Sequence, residues 1–518
     1  MRFAIYLLAL LAVVAFAMGW PTRVGITGHE GDLFHMIDAG LRMSEGEIPH
    51  LDFMTPLGIL SIAPVALFLS LGFAGGKAAL LSNLLVTVLL TPAIWWVGQT
   101  RLSGLMRLIF GAAMVILGAA LIYGGTSTAT SLSMYYNRWC WVVVFCMLVA
   151  VLWPARYAER GWGLALLLGL GLSALALTKM TFFIAFAPPI GLILLAQRRF
   201  FVLAMLAGIG AIVFALTTLL LGIPFWQAYA NDLLQVALHS QRSQPGDDLS
   251  SILSAPKFIA GSVALVAAII WLRKSGHLQL GLYLLLLAPA FVLTTWQNWG
   301  NDPKWLFLVG FIVAANLPIS GKMREVGIVI STAAFVALAP TMLTLTTSLS
   351  RGLFVDWTLF AQITPSGPLS DVWLRTERLA ESDVIEPIEG LPGDAPLRVF
   401  NGLTIPDCRS QDGLVRLAQA YSTSIYSLPN YQGKAVFMAD LLNLVPLISD
   451  VPRLKGGAPW YYGADPGFAD AGLIILPKCP LSRETRSAAM DALEAADFGL
   501  DLVLETPQMF LFAVRRGQ

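Results

Sequence analysis

The sequence predicts an α-helical polytopic membrane protein with a small C-terminal α/β domain. Three observations predict it. Of 518 residues, 57% are apolar and 13% charged, with a mean hydropathy of +0.71, too oily and too long for a single water-soluble core. Apolar runs recur as far as residue 348 and then stop. Beyond about residue 350 charged residues and prolines rise, and no run reaches the ~20 residues that span a bilayer. Lys and Arg total 33 against 32 Asp and Glu, and this balance of +1 offers neither a nucleic-acid surface nor a polybasic lipid clamp.

Taken in chain order, Arg2 and the run 3–20 resemble a secretion signal. The run ends in Gly19-Trp20-Pro21 without a small-x-small cleavage site, so it reads as a retained first span. Further apolar runs cover 57–74, 78–98, 105–123, 138–153, 163–178, 181–196, 200–222, 258–272, 279–296, 304–319 and 326–348. Positive charge decides which of them cross. If Arg2 is cytoplasmic and 57–74 does not cross, then Arg101 with Arg107, Arg156 with Arg160, Arg198 with Arg199, Arg273 with Lys274, and Lys322 with Arg324 all fall inside. Residues 57–74, which follow Pro56 and contain Pro64, therefore read as a juxtamembrane or re-entrant element, leaving about eleven spans. The expected domains are 1–349 in the membrane, with a first outer loop at 21–56, and 350–518 outside it. The N-terminus is then cytoplasmic and the C-terminal domain extracytoplasmic, as in a multi-pass protein of a bacterial inner membrane.

The long polar segments sort to the outer side: 21–56, 124–137, 223–257, 296–304 and everything after 348. In the tail, "PLRVFNG" and "AGLIILP" read as short buried strands, "KAVFMADLLNLVPLI" and "RETRSAAMDALEAA" as helices, and "LDLVLETPQMFLFAVRR" as a strand pair around Pro507. Cys140 and Cys146 lie in an apolar run and read as small hydrophobes. Cys408 and Cys479 lie in the tail, where an oxidising compartment would allow them to pair.

In the first loop, "HEGDLFH" gathers His29, Glu30, Asp32 and His35. A helix from about Glu30 to Ser44, ended by Gly46, places Leu33, Met36, Ile37, Gly40 and Leu41 on one face and Asp32, His35, Ala39 and Arg42 on another. Pro49 and Pro56 bracket an extended segment carrying Asp52. Two readings stand side by side. The acids serve the helix dipole, or one of them is a general base, with a histidine tuning it or helping to hold a divalent metal. As a metal motif the cluster lacks any HExxH-type spacing.

The order of apolar span, acids opening an amphipathic helix, "GEIPHLDF", "TPLG" and a second apolar element resembles the GT-C class of integral-membrane glycosyltransferases, closest to the aminoarabinose transferase and protein mannosyltransferase branch. Motif likeness covers roughly residues 28 to 60; the remainder is similar in plan only. The resemblance implies an inverting transferase that moves a sugar from a polyprenyl-phosphate donor to a lipid, glycan or protein acceptor, with a first-loop acid as base. Relatives often open this loop with Asp-Glu and place Tyr before the later Asp. Here His29 and Glu30 occupy the pair and His50 the tyrosine position, so the base is Glu30 or Asp32.

A phosphate leaving group calls for fixed positive charge. The candidates are Lys77, Arg138 and Lys304, with Lys179 nearby in the sequence order; a lone snorkelling cation is the alternative for each. His29, His35, Asp52, Asn298, Asn301 and Asp302 are candidate substrate contacts, the last three within "WQNWGND", which also reads as an aromatic belt with a turn. Loop 224–257, with Asp232, His239, Arg242 and Asp247-Asp248, is either solvated or a cover over the site. A lipid-linked sugar transporter or flippase and a non-catalytic envelope assembly protein remain the alternative functions.

Overall fold

The computed structural model describes residues 2–516 apart from 123–129, 133, 158–159, 239–249, 251–254, 298–301, 381–384, 388–397, 407, 411–412 and 464–465. Its first 351 residues are mostly helix, and six of the described helices are long and apolar enough to cross a membrane. They are α1 (Arg2–Gly19), α4 (Gly75–Arg101), α6 (Tyr135–Leu152), α9 (Phe200–Leu221), α12 (Leu278–Trp296) and α14 (Lys322–Arg351). Of the other runs counted toward eleven crossings, four form shorter apolar helices, α5 (Gly104–Ala119), α7 (Trp162–Thr178), α8 (Met180–Ala196) and α13 (Leu306–Ala315), and one forms α11 (Pro256–Lys274). Helix α9 identifies the solvent these helices require. Of its residues only Val202 is buried, and Leu219 and Leu220 are each at least 80% exposed, which a helix apolar all round tolerates in lipid and not in water.

Helix α6 is the opposite case, since every one of its residues except Val143 is buried. It is the axis of the bundle, and the polar residues of its first turn face protein. The bundle has two chemically distinct ends. At one, Arg101 donates to Ala150 O (3.0 Å), Arg107 to Gln99 Oε1 (2.9 Å) and Arg156 to Leu102 O (2.9 Å). At the other lie the start of α4, the start of α6 and the whole C-terminal domain.

Two further helices lie at that second end. Helix α2 (Glu30–Ser44) begins at the expected acid and stops where Gly46 takes a φ of 100°, a left-handed value natural to glycine. Helix α3 (Ile59–Ser70) has 12 residues and so reaches about 18 Å, well short of a ~30 Å hydrocarbon core. Met36 and Ala39 of α2, Ile62 and Val65 of α3, Ala78 of α4, and Tyr135, Tyr136 and Trp139 of α6 share one buried cluster. The second face of α2 is also covered: His35 and Arg42 are buried against Trp460 and Leu454 of the C-terminal domain.

That domain carries a four-stranded sheet in the order β6 (Gly499–Glu505), β7 (Met509–Arg515), β5 (Leu473–Pro477), β4 (Val436–Met438). Strands β4 and β5 run parallel and the other pairs antiparallel. Helices Leu414–Tyr426 and Arg483–Glu494 complete it. The expected helix over "KAVFMADLLNLVPLI" is corrected: Val436–Met438 pairs with Leu473–Ile475, and only Val445–Ile448 is helical. Asn443 enforces the break, because its Nδ2 donates to Val436 O (2.8 Å) while its Oδ1 accepts from Val445 N (3.2 Å). Cys408 and Cys479 are joined by a disulfide across a sequence separation of 71. A separate sheet sews the first loop to the domain: β1 (Val24–Ile26) pairs in parallel with β3 (Val372–Arg375), which also pairs with β2 (Phe360–Gln362).

Candidate functional site

The β1–β3 pairing places the short helix Thr376–Ala380 directly over the start of α2. His29, exposed and left-handed at φ 55°, caps the turn into α2. Glu30 is buried, and Arg378 holds both its oxygens: Nε donates to Oε1 (3.1 Å) and Oε2 (3.2 Å), and Nη2 to Oε1 (2.7 Å). Such a fork gives a carboxylate fixed geometry and occupies its lone pairs. Asp32 is half-buried in the same turn, and His35 lies buried with its ring 5.5 Å from that of Trp460. One turn further, Arg42 donates to Asp38 Oδ2 (3.2 Å), Glu47 Oε2 (3.3 Å) and Leu454 O (2.8 Å), and Glu45 pairs with Arg453.

Beside this lies a small open cleft lined by Asp38, Arg42, Asp440, Asn443 and Tyr461 among others. Burial pushes the Asp440 carboxyl up to about 6, against the pull of the N–H groups of Leu441, Leu481 and Ser482 and of Arg486. Those three amides fix Asp440 as the cap of the turn leading into helix Arg483–Glu494.

The cations are less alike than their positions in the sequence suggest. Lys77 donates to the carbonyls of Met18 (3.3 Å), Gly19 and Pro21 (2.9 Å), so its ammonium closes the C-terminal end of α1. The start of α4 is satisfied in turn by Asp371, which accepts from Gly76 N (3.0 Å) and Lys77 N (2.6 Å). Arg138 is wholly buried in the first turn of α6 and donates to Ile122 O. Lys304 and Asp302 are both buried just before α13, and Asp302 Oδ2 accepts from Thr341 (3.0 Å). Lys179 stands over the Tyr136 ring at 5.0 Å. Asp52 is exposed and accepts from Ile48 N (2.7 Å), closing a turn. Asn298 and Asn301 lie outside the described residues, as do His239, Arg242, Asp247 and Asp248.

A third group was not singled out by sequence reasoning. The loop 49–58 crosses the junction of α7 and α8 so closely that a Cβ on Gly58 would lie 2.1 Å from Leu177 O, and Gly58 N donates to Thr178 O (3.1 Å). In this loop His50 is left-handed (φ 73°) and its N–H donates to Phe53 O (2.8 Å). The imidazole Nδ1 lies 2.8 Å from Asp232 Oδ2, which also accepts from Thr55 N (3.1 Å). Asp232 belongs to α10 (Ile223–Leu238), whose Tyr229 stacks on the His50 ring at 4.4 Å and whose Phe225 meets its edge at 5.5 Å. Tyr229 donates its hydroxyl to Ala176 O (2.7 Å). The other ring nitrogen of His50, and both amide atoms of Asn137 at the start of α6, are buried with no hydrogen-bond partner among the described residues. The spacing of Phe225, Tyr229 and Asp232 at i, i+4 and i+7 was the available signal that Asp232 belongs to a helix face and not to a solvated loop.

Among the described residues no three His, Cys, Asp or Glu side chains gather closely enough to hold a metal ion. Compared with known proteins, the chain matches no family model and no curated protein.

Proposed function

We propose that this protein is a GT-C-like membrane glycosyltransferase, transferring a sugar from a polyprenyl-phosphate donor to a hydroxyl of a cell-envelope acceptor at the face that carries the C-terminal domain. The observation that carries the reading is the pair of helices α2 and α3, which stand with an acidic loop, buried cations and the C-terminal domain at one end of a lipid-exposed bundle. The opposite end carries Arg101, Arg107 and Arg156 and is the cytoplasmic one by the charge rule.

In this reaction the acceptor oxygen attacks the anomeric carbon from the side opposite the phosphate. The bond from that carbon to the phosphate oxygen breaks, and the lipid phosphate departs with the electron pair. Arg138 and Lys304, buried in a low-dielectric setting, are the side chains placed to balance the developing charge. Lys77 is already bound to three carbonyls and serves the fold. The acceptor proton passes to a first-loop group, which the family resemblance puts at Glu30 or Asp32.

Purified protein in micelles is to be incubated with polyprenyl-phosphate carrying radiolabelled sugars and with membrane extract as acceptor. Movement of label into extract, reduced at least tenfold in Arg138→Gln, is the expected result. No transfer from any donor by the wild type refutes the reading.

A further inference from the structure

We infer that the His50–Asp232 pair is the acid–base group that takes the acceptor proton, an assignment that rests on the glycosyltransfer reading above. Apart from Asp32, half-buried in the first turn of α2, the acids in and near the first loop are engaged elsewhere. Glu30 is held on both oxygens by Arg378, Asp38 and Glu47 by Arg42, and Glu45 by Arg453, while Asp52 closes a turn with Ile48 N and Asp371 caps α4.

His50 is differently arranged. Its Nδ1 faces a carboxylate oxygen at 2.8 Å, so in the neutral ring the proton sits on Nδ1 and the lone pair on Nε2. Asp232 is itself oriented by Thr55 N–H, and the ring is clamped between Tyr229 and Phe225. Among the described residues, Tyr229 beside it has its hydroxyl committed to Ala176 O, Cys140 acts electrostatically on Tyr229, and Lys179 acts on Cys140. His50 Nε2 is one of fourteen buried side-chain nitrogen and oxygen atoms without a hydrogen-bond partner among the described residues, and it is the one that sits on a ring already oriented by a carboxylate, where a water or a ligand hydroxyl completes the set. An acceptor-only nitrogen repels a phosphate and accepts an O–H, which points to the hydroxyl of the sugar acceptor and not to the lipid phosphate. Asn137 offers a further buried amide with an unfilled donor and acceptor on the adjoining helix.

The step balances. The acceptor O–H bond breaks and its proton goes to His50 Nε2. The oxygen forms a bond to the anomeric carbon, and the carbon–phosphate oxygen bond breaks with its electrons leaving on the phosphate. Asp232 stabilises the resulting imidazolium, which returns the proton to solvent after release.

The test uses the full chain in micelles with the labelled donor, comparing wild type, His50→Gln and Asp232→Asn. His50→Gln is expected to lower kcat by about 100-fold or more with donor KM unchanged, and to abolish the acidic limb of the pH–rate profile. Asp232→Asn is expected to lower kcat by at least about tenfold and to move that limb. Histidine ¹⁵N spectra give a readout independent of turnover. Among five histidines, His50 is assigned by its loss in His50→Gln, or from Asp232→Asn if the first variant does not fold. It should show a protonated Nδ1 and a bare Nε2 in the wild type, and lose that fixed tautomer in Asp232→Asn. Wild-type transfer that persists undiminished in both variants, or a proton found on Nε2 at neutral pH, overturns the inference. A wild type that transfers nothing sinks the glycosyltransfer reading first, and this inference with it.

Discussion

Removing the guanidinium of Arg378 should loosen the first loop from the C-terminal domain by an amount the structure lets us work out. The Glu30 side chain is 3% exposed and that of Arg378 23%, and three N–H···O contacts join them. Truncating one partner of a buried pair costs about 3–5 kcal/mol, because the other charge stays behind in low dielectric. Water reaching the outer quarter of Arg378 argues for the lower end, about 3 kcal/mol, or a roughly 100-fold larger open population. Replacing both partners, as in Glu30→Gln with Arg378→Met, removes the stranded charge and should return stability to within about 1 kcal/mol of the wild type. The assay is native-state proteolysis in micelles at the segment 360–380, where cleavage follows the open population when reclosing is fast. Wild-type cleavage rates in Arg378→Ala, or strict additivity of the two single substitutions, would refute the reasoning.

Three further outcomes follow from the same geometry. Cys408→Ser with Cys479→Ser should destabilise the C-terminal domain by up to about 4 kcal/mol, the chain-entropy value for a loop of this length, read as a lowered Tm that matches that of reduced wild type. Asp440 has a folded pKa raised to about 6 from 3.8, so between those values the folded state binds more protons than the unfolded one, and stability falls as pH rises from about 4 to 6. Denaturant titrations across that window should show the fall in wild type and a flatter profile in Asp440→Asn. Lys77→Met removes three hydrogen bonds at the end of α1 and should cost about 1–3 kcal/mol in thermal unfolding while leaving donor affinity unchanged; weakened donor binding would restore Lys77 to the site.

Much of the membrane half was legible because its signals are local. Helix α2 is bounded in the sequence by its leading acids and Gly46, and the apolar run after Pro56 forms a helix of only 12 residues, α3. The last two strands around Pro507 and the helix at Arg483–Glu494 carry their own period. What escaped was set by distant partners. "KAVFM" reads as helix until Leu473–Ile475 is supplied as a neighbour, and nothing near Glu30 announces an arginine 348 positions away. On α2 the face read as polar carries His35 and Arg42, which are buried against a domain whose docking no periodicity encodes, while Ala39 of that face packs with Met36. His50 and Asp232 are 182 positions apart, and each alone looks like an interfacial polar residue.

The parallel pairing of Val24–Ile26 with Val372–Arg375 also orders events in time. At ~5–20 residues per second, a ribosome releases the second strand roughly 20 to 70 s after the first. Throughout that interval the strand at 24–26 has an open edge and Glu30 has no arginine to hold it. The entrance loop therefore closes only when the last third of the chain arrives, so a truncated product left in the bilayer would keep its helices while its first loop stayed unlatched.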